Sequence, residues 1–400
     1  MNILFLLRNW PSFGGGETVT KCLANELIKR GHRVGVAYFK KTLKEGDSIS
    51  PDCRILAYHL EAISFDETSS EYNIKKSVVV QVQKLILDIV LQENYDIIVN
   101  QWWPVEFLES LKTKSNAKII KCLHMDPDTK KVFTGMGFKG KLYSTFEPLY
   151  RCVESKKHLY ECDKYLNNSD LFVFLAPSFS KNYLNKTSIK DAGEKVDYVY
   201  NPLVFKSQFC NDDFKHKAKV VLVVGRLLEK HKKISRILSV WKKIECLHED
   251  WKLQIVGDGP DKGKYEEMVS DLGLCHVSFE GYQNPLPYYR KASIFLMTSA
   301  YEGFPMTVIE SLQNGVVPVV MNTFSSINDI IECGVNGYVT SDREEDFIQP
   351  ILSLIENRDK RLQLARRGLE SCQIYSVENI VDNFRSEERR VGKECRSRWS

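Results

Sequence analysis

The sequence has no run of about 18 apolar residues, so nothing in it reads as a membrane-spanning helix. The apolar start, Met1 to Leu7, meets Arg8 and Asn9 at once and is too short for the apolar stretch of a secretory signal. Cysteines are present, eleven of them, but the number is odd and no C-x-x-C pair occurs. That pattern fits neither a disulfide framework nor a zinc site; it fits reduced thiols in a cytosolic protein. Charge of one sign is also lacking: a formal net charge of +4 gives no ground for nucleic-acid binding. No D-x-D-like pair stands at the end of a predicted strand, and no His, Cys or Asp cluster has ligand spacing. The chemistry is therefore expected to run without a metal or other cofactor. The expected location is cytoplasmic, with substrates reached from the cytosol.

What is present is a chain long enough for two domains, with 43% apolar and 27% charged residues, an ordinary globular composition. Its last sixteen residues, 385–400, break with the rest. Apolar periodicity stops at Phe384, and a string with six basic and three acidic side chains follows, without which the net charge falls to about +1. That string resembles the in-frame translation of a common sequencing-adapter oligonucleotide and is set apart as a non-native tail. Glu378 to Phe384 then reads as the start of a final helix cut short.

Up to Phe384, short apolar runs alternate with helical spacing. Asn2 to Leu7 reads as a strand, followed by the loop Pro11-Ser-Phe-Gly-Gly-Gly-Glu17. A helix with the apolar stripe Val19, Leu23 and Leu27 comes next and closes at Gly31. Further strands are expected at Arg33 to Phe39, Ile97 to Val99, Lys118 to Leu123 and Leu171 to Leu175. The second half repeats the plan at Val220 to Val224, Lys252 to Val256, Val277 to Phe279, Ile294 to Met297 and Val317 to Val320. Such alternation predicts an α/β fold: two doubly wound, Rossmann-like domains facing across a cleft, each a parallel sheet covered on both faces. Pro202 disfavours helix at Asn201 and marks a hinge. The expected divisions are 1–201, 202–372 and a crossover helix beginning in 373–384.

The densest chemical signal is Thr298-Ser-Ala-Tyr-Glu-Gly-Phe-Pro-Met-Thr-Val-Ile-Glu310. Its spacing puts Glu302 on a strand-to-helix turn, Pro305 at the first helical position and Glu310 about two turns into the helix. A helix N-terminus offers N–H groups and its positive dipole end to an anion, which suits a phosphate. A carboxylate on the same helix can take ribose hydroxyls. Gly14-Gly15-Gly16-Glu17, between the first strand and first helix, lets backbone approach a ligand, although the dinucleotide fingerprint is absent. Val224-Gly-Arg226-Leu ends the first strand of the second half and leads into Lys230-His-Lys232-Lys233. Two fixed cations there can neutralise a diphosphate without a metal. Ile255-Val-Gly257-Asp-Gly-Pro260 and Phe279-Glu-Gly281-Tyr282 are further strand-end turns, and His124 ends a strand in Lys121-Cys-Leu-His-Met-Asp126.

Together the E-x7-E run, the G-R-L…K element and the glycine loop resemble glycosyltransferase family 4, retaining enzymes of GT-B fold with a group 1 glycosyl transferase second domain. The resemblance spans nearly the whole chain up to Phe384 and is most specific in the second half. It implies that Glu302 contacts the donor sugar, while the Gly303-Phe304-Pro305 turn offers its Gly303 and Phe304 amides to sugar hydroxyls. The Thr307 and Val308 amides hold the diphosphate, and Glu310 accepts the ribose hydroxyls. Arg226 and a lysine clamp the phosphates; the spacing departs by one residue from the commoner pattern, which leaves Lys232 first and Lys230 second. Gly15 and Gly16 face the donor diphosphate, Gly257 approaches the nucleotide and Tyr282 stacks on the base. His124 contacts the transferred sugar near its reacting carbon, with Asp126 a weaker neighbour.

The implied activity is retaining hexosyl transfer from a nucleoside-diphosphate sugar, UDP before GDP, to a hydroxyl of a glycan or lipid-linked glycan in surface polysaccharide biosynthesis. Pro127 to Leu142 carries Lys130, Lys131, Lys139 and Lys141 among Phe133, Met136 and Phe138. A basic stretch interleaved with apolar residues adds the expectation of peripheral contact at the cytoplasmic membrane face. Two rivals share the two-domain plan: a nucleotide-sugar epimerase or phosphorylase, and an inactive binding subunit of a polysaccharide assembly complex. The intact E-x7-E and G-R…K elements argue against both.

Overall fold

The computed structural model describes residues 1–11, 15–41, 51–60, 76–127, 153, 155–204 and 209–384. They divide into two compact units: the first takes the described residues up to 127 with 155–204 and 376–384, and the second holds 153 and 209–375. The chain thus leaves the first unit after Val204, close to the expected hinge, and rejoins it at Ser376. The basic stretch beyond Pro127 and the tail 385–400 lie outside the described residues.

The first unit is built on β1 (Asn2–Leu6), β2 (Arg33–Tyr38), β3 (Leu56–His59), β4 (Ile97–Asn100), β5 (Lys118–Leu123), β6 (Leu171–Phe174) and β7 (Val196–Tyr198). Their order is β3-β2-β1-β4-β5-β6-β7, and every pairing is parallel. The second unit contains β8 (Val220–Val224), β9 (Lys252–Val256), β10 (Val277–Gly281), β11 (Ile294–Met297), β12 (Val317–Met321) and β13 (Tyr338–Thr340). Here the order is β10-β9-β8-β11-β12-β13, again all parallel. Each sheet reverses its strand order once, between β1 and β4 and between β8 and β11. Doubly wound sheets bind ligands at the carboxyl ends of the strands flanking such a point.

The inner strands were visible in the sequence because helices cover both faces of the sheet, so whole strands such as β6 and β12 are buried. Helix Ile234–Glu245 shows the complementary pattern: Ile234, Ile237, Leu238, Trp241 and Ile244 form one buried stripe. They enter a core with Trp251, Phe347 and Ile351. Three strands absent from the sequence reading, β3, β7 and β13, all lie at sheet edges and are partly exposed. With one side toward solvent they need no continuous apolar run, so nothing in their sequence announced them. Pro305 also differs from expectation: it caps the helix Met306–Gln313 from outside, at φ −78° and ψ 82°, instead of taking the first helical position. The final helix, 377–384, buries Ile380, Val381 and Phe384. Among the described residues no helix is long and apolar enough to cross a membrane.

Candidate active site

In the second unit, the turns after β8, β9 and β10 close on one another. Gly225 N–H donates to the Val256 carbonyl at 3.0 Å, Gly257 N–H to the Gly281 carbonyl at 2.8 Å, and Leu227 N–H to the Asp258 carbonyl at 2.9 Å. Gly257 has φ +142°, and a Cβ there would stand 1.9 Å from the Gly225 carbonyl oxygen. Glycine is required at 257 because two backbones meet there. This packing orients the Gly225-Arg226 turn. Arg226 is exposed on it; its carbonyl accepts from Leu228 N–H at 2.9 Å, while its side chain makes no hydrogen bond or ion pair among the described residues.

The end of β11 fixes the other side. Thr298 Oγ1 donates to the carbonyls of Lys232 and Lys233 at 3.1 and 2.9 Å, and Ala300 N–H donates to the His231 carbonyl at 2.7 Å. Lys233, left-handed at φ 51°, turns the chain from the short helix Glu229–Lys232 into helix Ile234–Glu245. The Glu229 carboxylate accepts from Ser235 Oγ at 2.6 Å and from the buried Tyr265 hydroxyl at 2.9 Å, anchoring that bend. The result aims Lys232 Nζ at Glu302 Oε1, 2.5 Å away, with both side chains largely shielded from solvent. The sequence reading named both residues for the site but did not foresee their pairing.

The field around this pair is positive. Burial holds the His231 imidazole below its usual pKa first of all, and Lys230, Lys232 and Arg226 add to that effect against the opposing pull of Glu302. His231 Nε2 also meets the Tyr301 hydroxyl, their rings 4.7 Å apart. Beyond Glu302, Gly303 carbonyl accepts from Ser326 Oγ at 2.9 Å, and Phe304 packs on Tyr375 with ring centroids 5.8 Å apart. Of the two amides expected to hold a diphosphate, Val308 N–H already donates to the Pro305 carbonyl at 2.9 Å. The N–H groups of Gly303 and Thr307 have no backbone acceptor among the described residues. Glu310 is buried, and its carboxylate accepts from the Tyr289 hydroxyl at 3.0 Å. Burial pushes this carboxyl up to about 7, against the lowering effect of that hydrogen bond. Tyr282 follows β10 and is 65% exposed.

In the first unit, Gly15 and Gly16 open the helix Gly15–Lys29. A Cβ on Gly16 would lie 2.8 Å from Trp102 Nε1, so the indole rests directly on the helix start. Trp102, two residues beyond β4, stacks on His124 at 4.9 Å between ring centroids and 20° between planes. The Arg8 guanidinium stands 5.9 Å from the indole centroid, and its Nε donates to the Trp102 carbonyl at 3.4 Å. His124 follows β5 directly, and burial together with the Lys121 ammonium pushes it down to about 3. Lys121 is itself buried, donates to the Gln101 carbonyl at 2.9 Å and lies 4.5 Å from the Tyr165 ring centroid. Burial pushes it down to about 8. The sequence reading missed Arg8, Trp102 and Lys121. Gln101-Trp102-Trp103-Pro104 directly follows β4 at the point where strand order reverses, which was an available signal.

One D-x-D pair, Asp126-Pro-Asp128, does occur shortly after β5, where the sequence reading saw none at the strand end. Asp126 is buried, Asp128 lies outside the described residues, and no cluster of three His, Cys, Asp or Glu among the described residues could hold a metal.

Residues 206–371, which include Arg226, Lys232, Glu302 and Glu310, match the family model for glycosyl transferases group 1. The chain is a glycosyltransferase, similar to group 1 enzymes over its second half. Over 389 residues this glycosyltransferase is 24% identical to an uncharacterized glycosyltransferase of Haemophilus influenzae, covering 95% of the chain and 98% of the relative. Over 250 residues it is 26% identical to the lipopolysaccharide 1,6-galactosyltransferase of Salmonella typhimurium, covering 60% of the chain and 65% of the relative. Among solved structures, Anabaena HepE in complex with UDP-glucose matches it with TM-score 0.66 at 15% identity, covering 99% of the chain and all of HepE. That likeness gives the glycosyltransferase its GT-B fold.

Proposed function

We propose that this glycosyltransferase moves a hexose, with retention at the anomeric carbon, from a nucleoside-diphosphate sugar to a hydroxyl of a glycan or lipid-linked glycan in surface polysaccharide biosynthesis. UDP is the preferred donor nucleotide and GDP the alternative. The observation that carries this reading is the Lys232–Glu302 contact at 2.5 Å, stapled by Thr298 beside the Arg226 turn and just ahead of helix Met306–Gln313. It sets cations for a diphosphate and a carboxylate for a sugar hydroxyl within one small region of a single unit.

Each group then has a role. Arg226 and Lys232 neutralise the departing diphosphate, with the Thr307 N–H and the helix dipole beside them. An ammonium has three protons, so Lys232 can keep Glu302 and still donate to phosphate. In the transfer, the acceptor oxygen bonds to the anomeric carbon on the face from which the phosphate oxygen leaves, and that phosphate oxygen takes the acceptor proton. The protein supplies position and charge rather than a strong base. His124 meets the transferred sugar as a neutral ring. Because protein cations stabilise the leaving group, the reaction is proposed to need no metal. The HepE structure, which contains UDP-glucose, and the Salmonella relative, named for galactosyl transfer to lipopolysaccharide, support the donor and acceptor classes. The basic, apolar-interleaved stretch Pro127 to Leu142 supports work in the cytoplasm with peripheral membrane contact.

The test is incubation of purified protein with radiolabelled UDP- and GDP-sugars, with and without chelator, scoring slow donor hydrolysis. Hydrolysis of one donor class, unaffected by chelator, is expected. No turnover of any donor by protein that melts cooperatively would overturn the reading.

A further inference from the structure

Three aromatic or basic side chains from separate strand ends converge on the start of helix Gly15–Lys29, and Trp102 is in the middle of them. Its ring lies against His124 on one side, and its Nε1 stands 2.8 Å from where a Gly16 Cβ would be. Its carbonyl receives Arg8 Nε. Trp102 Nε1 and His124 Nε2 are both shielded from solvent and have no hydrogen-bond partner among the described residues. Buried polar atoms are nearly always paired, so two orphans on one stacked pair point to a hydroxylated ligand that meets them.

We infer that Trp102 is a positioning residue of the transfer reaction: its indole, wedged over Gly16 and stacked on the imidazole, holds His124 in plane with Nε2 available to a sugar hydroxyl. This rests on the proposed role of His124 at the transferred sugar. A face-to-face neighbour fixes the rotation of the imidazole and keeps water from one of its faces. The exclusion of water disfavours the charged ring, in line with a His124 pKa pushed down to about 3. The charged groups nearest the pair are Lys121 on the strand that His124 follows and Arg8 after β1, which in turn interacts with Glu17 on the helix beside Lys21; Asp126 comes two residues after His124. Lys121, itself pushed down to about 8, stays cationic through the acid range and opposes a second positive charge. Removing Trp102 leaves Lys121 in place, so the change read in the variant reports the stack.

The test compares Trp102→Phe and Trp102→Ala with the parent, using two readouts. Histidine side-chain NMR, with His124 assigned by His124→Gln, gives its titration without any substrate. The ring is expected to stay neutral down to about pH 4 in the parent and in Trp102→Phe, and to titrate nearer histidine's usual value of about 6.5 in Trp102→Ala. The second readout is the pH profile of kcat on the donor found active. Between pH 7.5 and 5.5 the Trp102→Ala rate is expected to fall about tenfold as the ring protonates, with KM changing less than about threefold, while Trp102→Phe follows the parent. An unchanged His124 titration in folded Trp102→Ala overturns the positioning role. A shifted titration with a flat kcat profile overturns the role of His124 at the sugar and leaves the Trp102–His124 coupling standing. Should Trp102→Ala fail to fold, Trp102→Leu, which fills space without a stacking face, takes its place with the same expected outcomes.

Discussion

The two units share a sheet plan and differ in how they build chemistry on it. In the second unit the site is made of short segments close to strand ends: the Gly225-Arg226 turn, Lys232 one bend later, and Glu302 to Thr307 after β11. Their backbones do much of the placing, through Gly257 against Gly225 and Thr298 against the carbonyls of Lys232 and Lys233. In the first unit the comparable region is made of side chains stacked across elements remote in sequence: Arg8, Gly16, Trp102 and His124. Backbone turns demand particular residues at particular spacings and so leave a motif. Side-chain stacks can be met by many spacings and leave almost none.

The difference can be tested from its strongest consequence downward. Arg226→Ala should lower kcat about 10²- to 10³-fold, or roughly 3–4 kcal/mol of barrier, as loss of a fixed charge at a leaving group does. Because the side chain is exposed and makes no internal bond, the melting temperature should hardly change; steady-state kinetics with thermal melts would check both. A large loss of stability would show that the second unit does not separate chemistry from folding in this way.

Gly257→Ala should act in the opposite sense, on the fold. A methyl group 1.9 Å from a carbonyl oxygen at φ +142° forces two strand-end turns apart, for an expected loss of about 2–4 kcal/mol in denaturant unfolding. An effect below about 1 kcal/mol would mean that the turns tolerate separation and that backbone packing does not place Arg226.

Glu310 offers a pH test within the second unit. Its folded pKa of about 7 lies above the usual 4.5, so folding favours the protonated form. The stability this gives is fully present below about 4.5 and is lost as pH rises through about 7. Glu310→Gln, which keeps an acceptor for the Tyr289 hydroxyl, should remove that slope and be more stable than the parent by about 2 kcal/mol at pH 8, read by urea unfolding at several pH values. If the ionised carboxylate takes ribose hydroxyls, UDP should bind the parent more tightly at pH 8 than at pH 6. The variant should bind weakly at both, by calorimetry. Unchanged affinity in Glu310→Gln would remove Glu310 from the nucleotide site.

The smallest effect is expected at the first unit's helical surface. Arg30 pairs with Glu26 at 2.9 Å and Asp382 at 2.5 Å, and donates to the Glu378 carbonyl at 2.9 Å, tying the final helix 377–384 to helix Gly15–Lys29. Asp382 is well exposed, so Arg30→Ala should cost about 1 kcal/mol or less in thermal unfolding. A larger loss would show that the final helix depends on this arginine rather than on buried Ile380, Val381 and Phe384.

Particular residues show where legibility ended. Strands such as β8 and β11 were readable because burial on both faces forces an unbroken apolar run, and Glu302 and Glu310 were readable because a strand-turn-helix unit fixes their spacing. β3, β7 and β13 were not, since an edge strand meets solvent and local pattern no longer marks it. The Lys232–Glu302 pair was legible as two residues but not as a contact, because it depends on Thr298 and on the left-handed turn at Lys233. Glu310 was legible as a carboxylate, and its burial against Tyr289 was not.

By itself, then, the sequence determined the α/β class, the doubling of the plan, the inner strands and the motif residues of the second unit. These follow from short-range requirements: burial of a strand, the start of a helix, a glycine where backbones touch. Tertiary structure alone decided which charges pair, which polar groups are taken out of water, and that Trp102 lies between Gly16 and His124. Desolvation and stacking depend on neighbours brought together by the whole sheet, and no local spacing encodes them.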